Sequence, residues 1–205
     1  MVRPREFDND AVLDAAMQCF WTRGYEATSV RDLAESMGIA GPSLYNAFGD
    51  KRSLFMLALD KYCNDLMRKR LAELEATGGP REAIEGLFAQ IIERSVSDTA
   101  RRGCLLINSA LEVAPHDPEI GRMIGKYIGE IRSFFERNIQ SARAAGHVAP
   151  TLDSRHTANH LLAVLMGIRV LARARPERTL LTSAANAALE TLGPAPNRRA
   201  TWRSG

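Results

Sequence analysis

The sequence predicts an all-α protein of about nine helices, and three observations lead there. Apolar residues recur at three- and four-residue spacings in nearly every segment, while no convincing alternating strand appears. Composition agrees: 45% of residues are hydrophobic but only 6% aromatic, with much Ala and Leu, which favours helix packing over a sheet sandwich. Glycines and capping residues also fall between the periodic segments, where helices should stop and start. At 205 residues the chain has room for one generous domain or two small ones.

Asp8 is placed to cap a first helix that carries Val12, Ala15, Ala16, Cys19 and Phe20 on one stripe and ends at Gly24. Thr28 caps a second helix, with Val30, Leu33, Ala34 and Met37 facing inward and Gly38 as the stop. A short third helix follows in "GPSLYNAF", whose inward stripe is Leu44 and Phe48. Asp50 caps a long fourth helix through Leu54, Phe55, Leu57, Ala58, Tyr62 and Leu66. "ATGGP", at 76–80, is the clearest break in the chain. Beyond it lie helices over roughly 81–96 and 104–113, then a long one with Pro118 in its first turn that closes near Gly146. Another begins at Asp153 or Ser154, and a last one covers roughly 179–192. "PAPNRRATWRSG" has the composition of a disordered tail. The expected organisation is three small helices in 1–50, a connector helix over 51–75, a larger helical body over 76–193 and a tail over 194–205.

Mean hydropathy of −0.19, with no apolar run near about 18 residues, argues against a transmembrane helix. The opening "MVRPREFDNDAV" contains no apolar stretch of the signal-peptide kind, so a cytoplasmic protein is expected. Cys19, Cys63 and Cys104 are odd in number and widely spaced, which gives neither a disulfide framework nor a structural zinc site. The net charge is +3, and within the first sixty residues acidic side chains outnumber basic ones. Nucleic-acid binding must therefore rest on where charges sit, because their sum does not favour it.

The second and third helices, joined by a tight glycine-containing turn, form a helix-turn-helix pattern. Ala34 is small enough for a close crossing, Gly38 permits the turn, and Ile39 plugs the corner. Gly41, Pro42, Ser43, Tyr45, Asn46 and Ala47 are left facing outward or at the edge, with no charge among them. Such a surface can approach base edges in a major groove without fixed repulsion.

The stretch "GYEATSVRDLAESMGIAGPSLYNAFGDKRSLF", residues 24–55, resembles the DNA-binding signature of the TetR family of repressors. The match covers residues 5–60 closely and the all-helical remainder in general architecture. The resemblance implies an N-terminal DNA-binding domain, a C-terminal ligand-binding and dimerisation domain, and double-stranded operator DNA as partner. By its pattern Thr28 and Ser29 would bind phosphate at the second helix's N-terminus. Tyr45 and Lys51 would do the same from either side, and Gly41, Pro42, Ser43 and Asn46 would lie nearest the bases. Arg5, with Arg3, would form a short basic arm. Ala40 and Gly41 offer little side chain for direct readout, so specificity would lean on DNA shape.

One recognition helix has too little surface for tight binding, so a homodimer on a near-palindrome is expected, through the apolar helices over 153–173 and 179–192. The family's body holds a ligand pocket, for which Phe88, Ile91, Ile107, Met123, Tyr127, Phe134 and Met166 are candidates toward an unknown small-molecule effector. Cys104 follows "ARRG" at a helix start, where two arginines and the helix N-terminus favour a thiolate. "RRGCLLINSALE" further resembles a subgroup in which this cysteine responds to electrophiles or oxidants. His156 and His160 stand four apart on one face, but no third ligand is near in sequence, and neither metal nor cofactor is expected. The competing reading is a helical small-molecule-binding protein or enzyme whose first three helices merely pack.

Overall fold

The computed structural model describes residues 9–194; Arg3, Arg5, the Asp8 cap and the stretch from residue 195 onward lie outside the described residues. Every regular element among the described residues is helical. In order these are α1 (Asn9–Arg23), α2 (Val30–Met37), α3 (Gly41–Phe48), α4 (Lys51–Tyr62), α5 (Lys69–Thr77), α6 (Pro80–Ser97), α7 (Leu105–Glu112), α8 (Pro118–Ala144), α9 (Ser154–Ala174) and α10 (Arg178–Leu189). A π-helical turn, Cys63–Arg68, carries α4 into α5 without a break, so the long fourth helix expected from the sequence is a single helical run. The chain divides into two compact units. One is built from the chain up to Arg70 together with Asp98–Ile128, the other from Leu71–Ser97 and from Gly129 onward.

In the first unit α1 is the central element, packed against both α2 and α4. Ala16 and Phe20 of α1, Leu33 of α2, and Leu54, Phe55, Ala58 and Leu59 of α4 are among its buried side chains. Phe20 meets Phe55 edge to face at 5.1 Å, and Tyr25 closes on Phe55 at 4.7 Å, a geometry that aromatic rings prefer. The third helix joins this core through Leu44, which is fully buried. Burying one leucine contributes on the order of 2 kcal/mol, which holds a helix too short to persist alone.

The second unit is a layer of α6, α9 and α10, with α6 packed on both of the others. Ile84, Leu87 and Phe88 of α6, Leu161, Leu165 and Ile168 of α9, and Leu181 and Ala185 of α10 are among its buried side chains, and Phe135 stacks on Phe88 at 5.9 Å. Arg81 is buried at the start of α6. It pairs with Glu85 at 2.8 Å and donates to the backbone oxygens of Leu192, Gly193 and Pro194. A cation among terminal helix carbonyls satisfies acceptors that the helix cannot.

One helix start differs from the sequence expectation. Ser29, not Thr28, caps α2: its hydroxyl accepts the Asp32 amide at 3.1 Å while the Asp32 carboxylate accepts the Ser29 amide at 2.9 Å. Thr28 is fully buried and its hydroxyl donates to the Gly24 oxygen at 2.6 Å, closing the preceding turn. Both hydroxyls sit within one residue of the helix start, and the reciprocal bond with Asp32 selects Ser29.

Candidate nucleic-acid interface

The candidate interface residues among the described ones lie at three helix starts and one turn. At the start of α2, Ser29 is exposed and its capping box orients the first-turn amides. Hydrogen bonds from Ser29 hold the Asp32 carboxyl below the usual carboxylate range, and Arg23 adds an ion pair to it. Of the two phosphate candidates at this helix start, only Ser29 presents its side chain to solvent; Thr28 is turned inward.

The turn from α2 to α3 is set by Gly38, at φ +65°, in the left-handed region that favours glycine. Its amide donates to Glu35 and the Ile39 amide to Ala34 at 3.1 Å, which closes the end of α2. Ala40 then starts α3 without a side-chain cap, and Pro42 supplies the fixed backbone of a first turn. The helix spans about 12 Å. Pro42, Tyr45 and Asn46 are exposed, Gly41 and Ser43 half-exposed, and Tyr45 shows 51% of its surface. A Cβ built at Gly41 would meet nothing within 4 Å, so packing does not require this glycine.

Asp50 caps α4 by accepting the Ser53 amide at 2.7 Å. Lys51, the first residue of α4, extends over the Tyr25 ring at 4.4 Å and donates to the Glu26 oxygen at 3.4 Å. Its ammonium therefore lies beside the turn that leads into α2. Arg52 forks onto Asp117 at 2.5 and 2.9 Å and reaches Glu119 at 2.7 Å. That fork, with the Ile120 and Glu119 amides, holds the Asp117 carboxyl far below its usual range. Glu112, at the end of α7, accepts the amides of Tyr25 and Glu26 at 3.1 and 2.9 Å. Sequence reasoning missed Glu112, Arg52 and Asp117 because their partners lie 65 to 87 residues away, beyond any local periodicity.

The sensing candidates separate. Cys104 is half-buried, occupies the N-cap position of α7 and lies 3.5 Å from the Tyr62 hydroxyl. Arg102, expected to favour its thiolate, is instead bonded to Asp98 and Gln18 and stacked over Trp21 at 4.5 Å. Ile107, Met123 and Tyr127 belong to the first unit, and the Tyr127 hydroxyl donates to Asp60. Phe88, Phe134, Met166 and Ile91 belong to the second, where Phe88 lines a cleft of about 690 Å³ between α6 and α10. His156 and His160 are exposed, and His156 sits 3.8 Å from Asp153.

Comparison with known proteins points one way. The family profile described as "Bacterial regulatory proteins, tetR family" matches residues 12–57, and that described as "Tetracyclin repressor-like, C-terminal domain" matches residues 80–188. The HTH-type transcriptional repressor ComR of Escherichia coli is 33% identical over 172 residues, covering 83% of this chain and 82% of that protein. The HTH-type regulator YezE of Bacillus subtilis is 35% identical over 148 residues, covering 72% and 76%. A cysteine mutant of the TetR family transcriptional regulator CifR, complexed with 26bp double-strand operator DNA, superposes with a TM-score of 0.82 and 34% identity. The match covers 95% of this chain and 100% of that one.

Gly41 gives a test in which stability and recognition move in opposite directions. Gly41→Ala adds a methyl in open space to a helical position, so it should stabilise the fold by about 0.5 kcal/mol, read as a higher Tm. The same methyl on the outward face should weaken binding to a duplex selected by the wild-type protein. A variant that is both more stable and an equal binder would show that this face does not meet DNA.

Proposed function

The chain belongs to the TetR family of bacterial transcriptional regulators, and from that premise we propose that it is a repressor that binds a near-palindromic operator as a homodimer. It is a DNA-binding regulator, not an enzyme, so the enzymatic alternative falls away. The observation that carries the reading is the outer face of α3. Pro42, Tyr45 and Asn46 stand free of charge on a helix anchored by Leu44 alone among its fully buried side chains. In this reading residues 1–50 are the reading head, 51–75 the connector and 76–193 the sensing and dimerising body.

Pro42, Ser43 and Asn46 lie nearest the bases, where Asn46 is suited to an adenine edge and Pro42 to a thymine methyl. Ser29 with the first-turn amides of α2, Tyr45 and Lys51 take phosphates, and Arg5 adds a backbone contact from outside the described residues. Thr28 supports this arrangement from within rather than touching DNA. Two heads facing successive turns of one side of the duplex would read half-sites about 34 Å apart or somewhat more. The dimer surface is the outer side of α9 and α10, where Val170, Leu171 and Leu180 remain 47%, 41% and 36% exposed. Apolar side chains at that exposure are the natural core of a helix-to-helix interface.

Release from the operator would follow a small molecule or modification of Cys104 that shifts the spacing of the two heads. The cleft beside Phe88 supports the first route, and the half-buried thiol at the start of α7 supports the second. The double variant Tyr45→Phe with Lys51→Ala should lose measurable operator binding while remaining a folded dimer by light scattering; undiminished affinity would sink the phosphate assignments. Cys104→Ser should bind the operator normally yet resist release by N-ethylmaleimide. Equal release of variant and wild type would reject the thiol route.

A further inference from the structure

We infer that Glu112 is a positioning residue for operator recognition: from the end of α7 its carboxylate clasps the turn on which the reading helices are mounted. The inference rests on the operator reading above and goes beyond it by naming what fixes the reading head in place.

In the turn between α1 and α2 the Gly24 and Thr28 amides donate to the Phe20 and Tyr25 oxygens, and the Tyr25 and Glu26 amides between them still need partners. Glu112 supplies them, one carboxylate oxygen accepting Tyr25 N–H at 3.1 Å and the other Glu26 N–H at 2.9 Å. Successive amides closing on one anion form a compact, directional grip. The approach is as close as the backbone permits. Gly24 sits at φ +87°, and a Cβ there would stand 3.0 and 3.1 Å from the two Glu112 oxygens. Lys51 holds the same turn from its other side, through the Glu26 oxygen and the Tyr25 ring.

The next segment of chain repeats the device. Asp117 and Glu119, which follow α7, grip Arg52 in the first turn of α4. Thus both flanks of the helix-turn-helix, the entry to α2 and the start of α4, are tied to one short stretch around residues 112–119. The α7 helix is eight residues long, about 12 Å, and has Cys104 as its N-cap, so the thiol and the Glu112 clasp stand at opposite ends of one short helix.

Electrostatics makes the inference testable by sign. A carboxylate near bound DNA repels phosphate, so a merely surface Glu112 would bind better once neutralised. A positioning Glu112 would bind worse, because Gln presents only one acceptor oxygen to two amides. Full-length wild type and Glu112→Gln should be compared by fluorescence anisotropy. The probes are a duplex that the wild-type protein selects from a random pool and a scrambled duplex of the same length.

The expected result is about a tenfold loss on the selected duplex with scrambled-duplex binding unchanged or tighter. Equal or tighter binding of the selected duplex by the variant overturns the inference. Hydrogen exchange in the wild-type protein decides the contact without any variant: the Tyr25 and Glu26 amides should be protected, and exchange at the rate of open-turn amides overturns it. Failure of the wild type to enrich any duplex would overturn the operator reading itself, and this inference with it.

Discussion

The burial of Leu44 is the constraint on which the helix-turn-helix depends. An eight-residue helix has little intrinsic stability, and α3 has a single fully buried side chain to hold it. Leu44 is fully buried where α3 packs on α2 and α4, while Gly38 turns the chain from α2 into α3. Because one leucine does the anchoring, Tyr45 and Asn46 need not serve the fold and Pro42 serves only the first turn, so their outer surfaces are free to meet a duplex. A longer or better buried helix would have surrendered that face to the core.

The charge pattern follows the same logic. The first sixty residues hold more acid than base, yet among the described residues several of those acids are occupied. Asp32 closes the cap of α2 and pairs with Arg23, Asp50 caps α4, and Asp10 and Asp14 converge on Lys61 at 2.8 and 3.3 Å. Each of these carboxylates satisfies a helix start or a cation of the protein itself. The outward face of α3 carries no charge at all, so a net acidic segment can still present a surface that a polyanion tolerates.

Much of this was legible in the sequence because the signals are local. Gly24 and Gly38 mark helix ends and adopt φ of +87° and +65°, Asp50 caps α4, and Pro118 opens α8. Leu44 could be picked out by its spacing, whereas its partner in the expected stripe, Phe48, is only half-buried. The cap of α2 falls one residue past Thr28 because two adjacent hydroxyls compete and only the Asp32 carboxylate settles which one wins. The π-helical turn at Cys63–Arg68 had no signal in apolar spacing. Glu112, Arg52 and Asp117 were invisible since their roles come from elements distant in the chain. Hydrophobicity marks core residues and pocket walls alike, and the ligand-pocket candidates divide between the two units.

The most direct measurement of how this protein meets DNA is a dimethyl sulfate footprint on a duplex it selects. Guanine N7 is presented in the major groove, so insertion of α3 there predicts protection of N7 in two symmetry-related patches. Their centres should lie about one helical turn apart or somewhat more. Protection confined to the minor groove, or a single patch with no symmetric counterpart, would contradict the placement of α3 as the reading element of a dimer.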